Sequence, residues 1–412
     1  MTSLSSNRRW LMISLVFLAT AINYLDRQTL SVVAPVLMDH FHMSNEAYSR
    51  VIFAFMLAYT VMNAVSGAVI DRLGTRVGYA LTAGWWSVAA MLHALTLGPW
   101  TLGVYRFLLG MGEAGNWPAG VKVVAEWFPA RERALASGIF NSGSAFGAVV
   151  APPLVVWIVL KTGWREAFLV VGAVGLIWVL LWSLIYHIPP EAENEERSTA
   201  VPLWQLFRTR FVWSFTVAKV FLDPVWYFYI FWFPAYLKRA RHFDLASIGM
   251  YAWIPFMVAG LGNLLGGWLA GALLRRNIPI TVARKSAVTV FALLMLSAIP
   301  AVLTPSASLS IGLVSVAMLG YTGVTANMMA FPADVFPKSV VATIWGLAGM
   351  GSGSGGMVFA LMTGWLVDRY SYVPVFIGFS LIPMIALSII WFVLGPLRPV
   401  PAPGDEGSNG SA

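Results

Sequence analysis

Long apolar stretches separated by short polar segments run along the whole chain. Twelve of them reach the roughly 20 residues that a helix needs to cross a bilayer. The first six predicted spans cover residues 10–38, 46–70, 77–97, 99–124, 134–160 and 165–187. The second six cover residues 211–237, 247–272, 282–303, 308–330, 339–366 and 372–394. The pattern predicts an all-α membrane protein with twelve transmembrane helices.

Composition supports this class. The mean hydropathy is +0.75, and only 11% of the 412 residues are charged, against roughly 25% in soluble domains. The chain has no cysteine, which excludes a disulfide framework and thiolate metal sites. Its five histidines show no ligand spacing. We therefore expect no metal and no bound cofactor. No nucleophile–base pair stands out, so an enzyme is not expected.

The net charge of +8 follows the predicted topology. With the N-terminus inside, cytoplasmic segments hold 16 of the 26 Lys and Arg residues, the opposite side holds 7, and the spans hold 3. This bias places both termini in the cytoplasm and explains the basic character without a nucleic-acid partner. The first apolar run is too long for the core of a cleavable signal peptide, so no cleavable signal peptide is expected.

Two similar halves are predicted. The segment AEWFPARERALASG parallels ADVFPKSVVATIWG, and both Pro129 and Pro337 and Gly138 and Gly346 lie 208 positions apart. The longest polar stretch, residues 188–210, reads as a cytoplasmic linker between an N-terminal half, 1–187, and a C-terminal half, 211–394. The Pro/Gly/Ser-rich tail, 395–412, is expected to be disordered. Parallel six-helix repeats are typical of secondary transporters that bind substrate near the midplane.

The loop after the second span carries GAVIDRLGTR, residues 67–76. Its spacing, Gly-x-x-x-Asp-Arg-x-Gly-x-Arg, resembles the signature of the major facilitator superfamily. We expect Asp71, Arg72 and Arg76 to form a conformational latch rather than to contact substrate. The matching loop of the second half has Gly271 in place of the aspartate, so a latch there must be weaker or different. A generic basic loop is the alternative.

Charges at bilayer depth are costly and by default mark a functional site. Six fall inside the predicted spans: Asp26, Arg27, Arg106, Glu113, Lys219 and Asp223. Arg106 and Glu113 are seven residues apart and so share one helix face. Adjacent residues such as Asp26 and Arg27 lie about 100° apart and do not face each other. Each of these two therefore needs a partner from elsewhere.

Arginine keeps its charge in proteins, and its planar fork matches a carboxylate. Arg27 and Arg106 are therefore predicted to bind an organic anion, whereas the carboxyls of Asp26 and Glu113 can exchange protons and couple transport to a proton gradient. The alternative is that each carboxylate only neutralises an arginine. Lys219 and Asp223 are four residues apart, so an ion pair of structural or gating importance is expected between them, with a substrate site as the alternative.

Other candidates are less specific. Part of the aromatic run DPVWYFYIFWFPAYL, residues 223–237 and including Tyr229, is expected to form a wall for the substrate, although lipid-facing or core positions explain much of it equally well. In the second half, Tyr321 falls where the repeat places Glu113, and Thr322 adjoins it. Ser352 lies in the glycine-rich stretch GMGSGSGGM, which is explained by close helix packing or by a hydroxyl ligand.

Three segments carry a resemblance to a known family. NYLDRQTLSVVAPVL, RFLLGMGEAGNWPAGVKVVAEWFPARERALASGIFNSG and DPVWYFYIFWFPAYL are similar to the anion:cation symporter family of the major facilitator superfamily, and in particular to its bacterial hexuronate transporters. The resemblance implies that Arg27, Arg106 and Tyr59 bind the anionic end of the substrate and that Asp26 and Glu113 handle protons. Vesicular glutamate transporters of the family carry an arginine in the seventh helix, where this chain has Lys219 and Asp223, which favours a monoanionic sugar acid.

Together these features predict a proton-coupled symporter for a sugar acid, with hexuronate as the first candidate, working as a monomer in the lipid bilayer. Symport of galactonate, glucarate or an aromatic acid is an alternative. A facilitator or drug/proton antiporter fits less well because cationic drugs would need uncompensated carboxylates. A membrane receptor that binds without transporting remains a further alternative.

Overall fold

The structure is a computed structural model that describes residues 3–128, 130–187, 209–336 and 338–398. This part of the chain is helical and contains no strand. The helices are α1 Ser3–His40, α2 Asn45–Leu92, α3 Pro99–Glu113, α4 Asn116–Trp127, α5 Ala130–Lys161, α6 Trp164–Ile185, α7 Arg210–Leu222, α8 Pro224–Arg241, α9 Leu245–Tyr251, α10 Ile254–Arg275, α11 Ile280–Leu294, α12 Ala298–Leu303, α13 Ala307–Val335, α14 Lys338–Arg369 and α15 Tyr372–Ser388. Short turns of 3₁₀-helix, His93–Leu95 and Met295–Ser297, and of π-helix, Ile389–Val393, extend three of them.

All twelve predicted spans fall on these helices, so the all-α membrane fold is confirmed. Within the described residues, seven helical segments are by themselves long and apolar enough to cross a membrane. The three predicted spans that carry the six charges at depth are not among the seven. Neither are the two spans that share α2.

The helix bounds repeat with the predicted offset. α5 and α14 have 32 residues each and begin 208 positions apart, at Ala130 and Lys338. α6 and α15 also begin 208 positions apart. The internal repeat is therefore present in the helices as well as in the sequence. Pro129 and Pro337, on which the sequence alignment rested, lie outside the described residues.

α2 contains two predicted spans in one run of 48 residues. The run turns at Gly74, whose backbone has φ +76° and ψ 156°. Glycine adopts this left-handed region without the steric cost that a Cβ imposes. The turn lies inside the loop predicted between residues 70 and 77, so the two arms of α2 correspond to the second and third spans.

Two other spans are interrupted where charged residues lie. The fourth predicted span is divided between α3 and α4, and the division places Glu113 at the last position of α3. The seventh is divided at Asp223, which ends α7, while Pro224 begins α8. Proline lacks the backbone donor that would continue the helix, so Pro224 explains the break between α7 and α8.

The chain divides into two compact units. The first contains residues 1–196, 227–256 and 356–372, and the second contains 197–226, 257–355 and 373–412. The division passes through α8, α10 and α14, so compactness groups the chain differently from the predicted halves, which stay predictions. Most of the predicted linker, residues 188–208, and most of the predicted tail, 399–412, lie outside the described residues.

Within the first unit, α1 packs directly on α5. A Cβ added at Gly143 would meet the carbonyl oxygen of Phe17, and one added at Gly147 would meet that of Ala21. Small residues allow transmembrane helices to approach this closely. The contact fixes the register of α1 along the two turns that lead up to Tyr24.

Candidate functional site

A buried ion pair joins α1 to the end of α3 in the first unit. Arg27 donates from Nε and Nη2 to the same oxygen of Glu113, Oε2, over 3.0 and 2.8 Å. The side chains are 2% and 0% exposed. The other oxygen, Oε1, has no hydrogen-bond partner among the described residues. The sequence placed these groups in the first and fourth spans, and their spacing did not predict that they pair with each other.

Arg106 is a second buried cation on α3. Its Nη2 donates to the backbone carbonyl oxygen of Arg27 over 2.7 Å, and its side chain is fully buried. Its Nε and Nη1 have no partner among the described residues. A buried guanidinium with open donors is a fitting receptor for a carboxylate, because charge-assisted hydrogen bonds offset the cost of burial. Arg106 is thus the arginine with free binding capacity here, since Arg27 is neutralised by Glu113.

Aromatic rings enclose both guanidinium groups. The Cζ atom of Arg27 lies 4.9, 5.2 and 4.7 Å from the ring centroids of Tyr24, Phe55 and Tyr59. Phe55 stacks on Tyr59 at 5.6 Å and also lies 4.8 Å from the Cζ atom of Arg106. Of these rings only Tyr59 was predicted. Phe55 precedes it by one helical turn, so the periodicity of α2 would have identified it as a member of the same face.

Asp26 is buried beside this pair but does not take part in it. Its side chain is 2% exposed, and neither carboxyl oxygen has a hydrogen-bond partner among the described residues. The prediction that Asp26 and Arg27 do not pair with each other is confirmed. Asn23, one turn earlier on α1, is fully buried, and neither of its amide atoms has a partner in the described part of the chain. The sequence analysis missed Asn23, although its spacing of three from Asp26 puts both on one face.

A neutral hydrogen-bond network adjoins the charged cluster. The hydroxyl of Tyr79 donates to Oδ1 of Asn116 over 2.6 Å, and Nδ2 of Asn116 donates to Oγ1 of Thr20 over 3.1 Å. All three side chains are fully buried. Asn116 follows Glu113 by three residues. The network therefore ties α1, α2 and α4 together next to the ion pair.

The second unit holds its own buried pair. Nζ of Lys219 lies 2.8 Å from Oδ2 of Asp223, and the hydroxyl of Tyr321 donates to Oδ1 of the same carboxylate over 3.2 Å. Lys219 also lies 5.0 Å from the ring of Trp345, and Trp226 stacks on Tyr321 at 5.4 Å. The ion pair expected from the spacing is present. Tyr321, which was expected to contact substrate, hydrogen-bonds to this pair.

The remaining substrate candidates are buried in helix packing. The hydroxyl of Thr322 donates to the carbonyl oxygen of Ala259 over 2.5 Å, which holds α13 to α10. Ser352 is 6% exposed, and Tyr229 in the first unit is 1% exposed. Their roles in binding stay predictions.

The predicted latch segment is described in part. The side chain of Asp71 lies outside the described residues, and Arg72 is exposed. Arg76 donates from Nη2 to the carbonyl oxygen of Ser183 over 2.6 Å, while the indole of Trp182 donates to the carbonyl oxygen of Arg76 over 3.0 Å. These contacts fasten the loop to α6. The gating role of the segment stays a prediction.

Within the described residues, no three His, Cys, Asp or Glu side chains are grouped closely enough to hold a metal ion. The charged groups of the first unit offer electrostatic chemistry. Two cations, two carboxyl groups and an aromatic enclosure can bind an anion and exchange protons.

Comparison with known sequences gives a consistent set of relatives. The family model described as Major Facilitator Superfamily matches residues 16–359 of this chain. The hexuronate transporter of Escherichia coli (strain K12) is 36% identical over 406 residues, which cover 94% of this chain and 94% of that protein. The galacturonate transporter of Dickeya chrysanthemi is 38% identical over 307 residues, covering 70% of this chain and 89% of that protein.

Solved structures share the fold at low identity. A bacterial homologue of the human lysosomal transporter Spinster, in an inward-facing and occupied conformation, gives a TM-score of 0.76 at 20% identity, covering 96% of this chain and 99% of that chain. The nucleoside transporter NupG gives a TM-score of 0.72 at 12% identity, covering 93% of this chain and 100% of that chain.

Proposed function

This chain belongs to the Major Facilitator Superfamily, and from that premise we propose that it imports a hexuronate together with protons. The observation that carries the proposal is Arg106, a buried guanidinium with two open donors beside the Arg27–Glu113 pair. The relatives named for hexuronate and galacturonate transport support the substrate class. Both termini are proposed to lie in the cytoplasm of a bacterial cell, and the working unit is proposed to be a monomer.

Charge balance within the cluster links anion binding to proton binding. With both carboxyls ionised, Asp26 and Glu113 balance Arg27 and Arg106. A buried carboxylate without partners is costly, whereas its protonated, neutral form costs much less. Protonation of Asp26 therefore leaves the cluster with one positive charge. A hexuronate carries one carboxylate and restores neutrality, so one proton and one monoanion occupy the site together at low electrostatic cost.

Glu113 supplies the second step. Both hydrogen bonds from Arg27 converge on one of its oxygens, and protonation of Glu113 removes the charge that holds them. Arg27 is then free to join Arg106 on the substrate carboxylate, in the bidentate geometry that arginine favours. Reversal of these events at the other face releases the anion and the protons. The aromatic rings of Phe55 and Tyr59 limit water around the pair, which strengthens the interaction.

The experiment is a flux measurement in proteoliposomes that contain the purified protein and a trapped pH dye. Addition of glucuronate or galacturonate is expected to acidify the lumen, because protons enter with the sugar acid. Galactonate and galactarate serve as the alternative substrates, and glucose serves as the uncharged control. Glu113→Gln is expected to bind hexuronate, as measured by thermal shift, but to lose the acidification.

Uptake of labelled hexuronate by the wild type without acidification of the lumen would replace symport by facilitated diffusion. A thermal shift with galactonate or galactarate and none with either hexuronate would replace the substrate. Unchanged coupling in Glu113→Gln would remove this carboxyl group from the mechanism.

A further inference from the structure

The N-terminus of α2 is capped by a carboxylate from the far end of α14. Oδ1 of Asp368 accepts hydrogen bonds from the backbone nitrogen of Asn45 over 3.0 Å and from its Nδ2 over 2.7 Å. Oδ2 accepts from the backbone nitrogen of Glu46 over 2.6 Å. The groups lie 323 residues apart in the sequence, and all belong to the first unit.

These bonds complete the first turn of α2. A helix begins with amide donors that have no partner within the helix. Ser44 accepts from the amide of Ala47 with its side chain and from that of Tyr48 with its carbonyl oxygen. The two amides before these depend on Asp368. A negative group is also favoured at a helix N-terminus by the helix dipole. Separation of α14 from α2 would therefore leave two amides to be solvated by water.

The backbones are in direct contact one turn away. Gly364 lies four residues before Asp368, on the same face of α14. A Cβ at this glycine would lie 2.5 Å from Cβ of Ser49 and 2.6 Å from the carbonyl oxygen of Asn45. A side chain at position 364 would thus push α14 away from α2. Cap and glycine form one contact, called here the hairpin contact because it lies where α1 ends and α2 begins.

Further contacts connect this end of the unit to the arginines. The hydroxyl of Tyr48 donates to the carbonyl oxygen of Phe231 over 2.9 Å, and the hydroxyl of Ser31 donates to that of Ile230. The ring of Phe231 lies 6.0 Å from the Cζ atom of Arg106. α8 therefore covers the arginines on the side of the α1–α2 hairpin.

We propose that Asp368 is the latch of an outer gate: the hairpin contact keeps the outer ends of α2, α8 and α14 together, and it must open before substrate reaches Arg106 from outside. The orientation of the gate in the membrane and the identity of the transported solute rest on the proposed function. Asp368 is itself exposed, so water can replace it at a cost that a transport cycle overcomes. A fully buried carboxylate would hold the gate too firmly.

Cysteine accessibility tests the latch. The chain has no cysteine, so Ile52→Cys introduces the only thiol. Ile52 is 1% exposed and lies on α2 between Tyr48 and Phe55, behind the hairpin contact. The rate of labelling by a membrane-impermeant maleimide, added to the outside of right-side-out vesicles, reports opening of the gate.

Two variants weaken the contact independently. Asp368→Asn keeps the shape but removes the charge, and Gly364→Val leaves the carboxylate but separates the backbones. Each is expected to raise the labelling rate roughly three- to tenfold, because the variants weaken the charge-assisted hydrogen bonds of the cap without abolishing them. The matched controls are Asp244→Asn, an exposed acid whose Oδ1 caps its own helix α9 by accepting from the backbone nitrogen of Ser247 over 2.8 Å, and Gly349→Val, a position on α14 where an added Cβ meets nothing within 4 Å.

Unchanged labelling in both hairpin variants would overturn the proposal. So would an equal rise in Asp244→Asn, or a rise seen only when the reagent acts from the inner face. If Gly364→Val does not fold, Asp368→Asn decides alone, because it changes no volume. Labelling is measured without substrate, so a failure of the hexuronate assignment would leave this result intact and distinguishable.

Discussion

Arg27 and Glu113 are joined through a single carboxylate oxygen, which accepts two hydrogen bonds from the guanidinium while the second oxygen accepts none from the described residues. A pair held on one oxygen leaves room for a proton on the other. The protonation state of Glu113 therefore decides whether Arg27 is available to the substrate carboxylate. This gives Arg27 and Arg106 different roles.

We predict that Arg106→Lys weakens hexuronate binding at least about tenfold, because lysine cannot reproduce the planar fork that binds a carboxylate bidentately. Arg27→Lys should weaken binding less at high pH, where Glu113 is ionised and occupies Arg27. Isothermal titration of both variants at two pH values checks this. Equal losses for both variants at both pH values would contradict the division of roles.

We predict that Asp26→Asn removes most of the dependence of hexuronate uptake on the pH gradient while exchange of internal for external substrate continues. An amide has the shape of a protonated carboxyl but cannot release a proton, and both oxygens of Asp26 are buried without partners among the described residues. Counterflow in proteoliposomes at equal pH serves as the control. A variant that keeps uphill uptake at wild-type rates would show that Asp26 carries no proton.

We predict that Asp223→Ala destabilises the protein by about 3 kcal/mol, because it leaves the buried ammonium of Lys219 without its counter-charge. Lys219→Met with Asp223→Ala should recover part of the loss, since no charge is then buried. Thermal unfolding in detergent measures both. Hexuronate uptake by the double variant tests whether the pair has a role beyond structure, and full uptake would leave it only a structural one.

We predict that Gly147→Ala lowers both stability and substrate affinity. The added methyl group would meet the carbonyl oxygen of Ala21 and Cβ of Tyr24, and overpacking of this kind costs about 1–3 kcal/mol. Displacement of Tyr24 would also disturb the enclosure of Arg27. Gly138→Ala, on the same helix but with nothing within 4 Å of the added atom, should be neutral or slightly stabilising.

Features set by local spacing could be predicted from the sequence. The lengths of the apolar runs predicted the spans, and the separation of four residues predicted the Lys219–Asp223 pair. Features that join distant segments could not. Nothing in the periodicity of α1 and α3 assigns Glu113 to Arg27, and nothing near Asp368 indicates that it caps α2.

Adjacency in the sequence does not show in which direction a side chain points. Thr322 follows Tyr321 directly, but one residue along a helix turns the side chain by about 100°, and its hydroxyl bonds the backbone of α10. Asn23, in contrast, is a buried polar residue that the sequence analysis missed. An asparagine in an apolar helix carries no formal charge, so it did not stand out, although a buried amide without partners needs the same explanation as a buried ion.

The hydrogen bonds among Tyr79, Asn116 and Thr20 bear on how the helix packing of the first unit withstands changes of protonation during transport. Amides and aliphatic hydroxyls do not ionise at physiological pH, and a phenol does so only in strong base. The bonds that tie α1, α2 and α4 together therefore persist through every protonation state of the neighbouring carboxyls. The first unit thus combines a cluster whose charge changes on proton binding with a hydrogen-bond network whose charge does not. A change of pH can therefore alter the protonation of the cluster without breaking the bonds that join α1, α2 and α4.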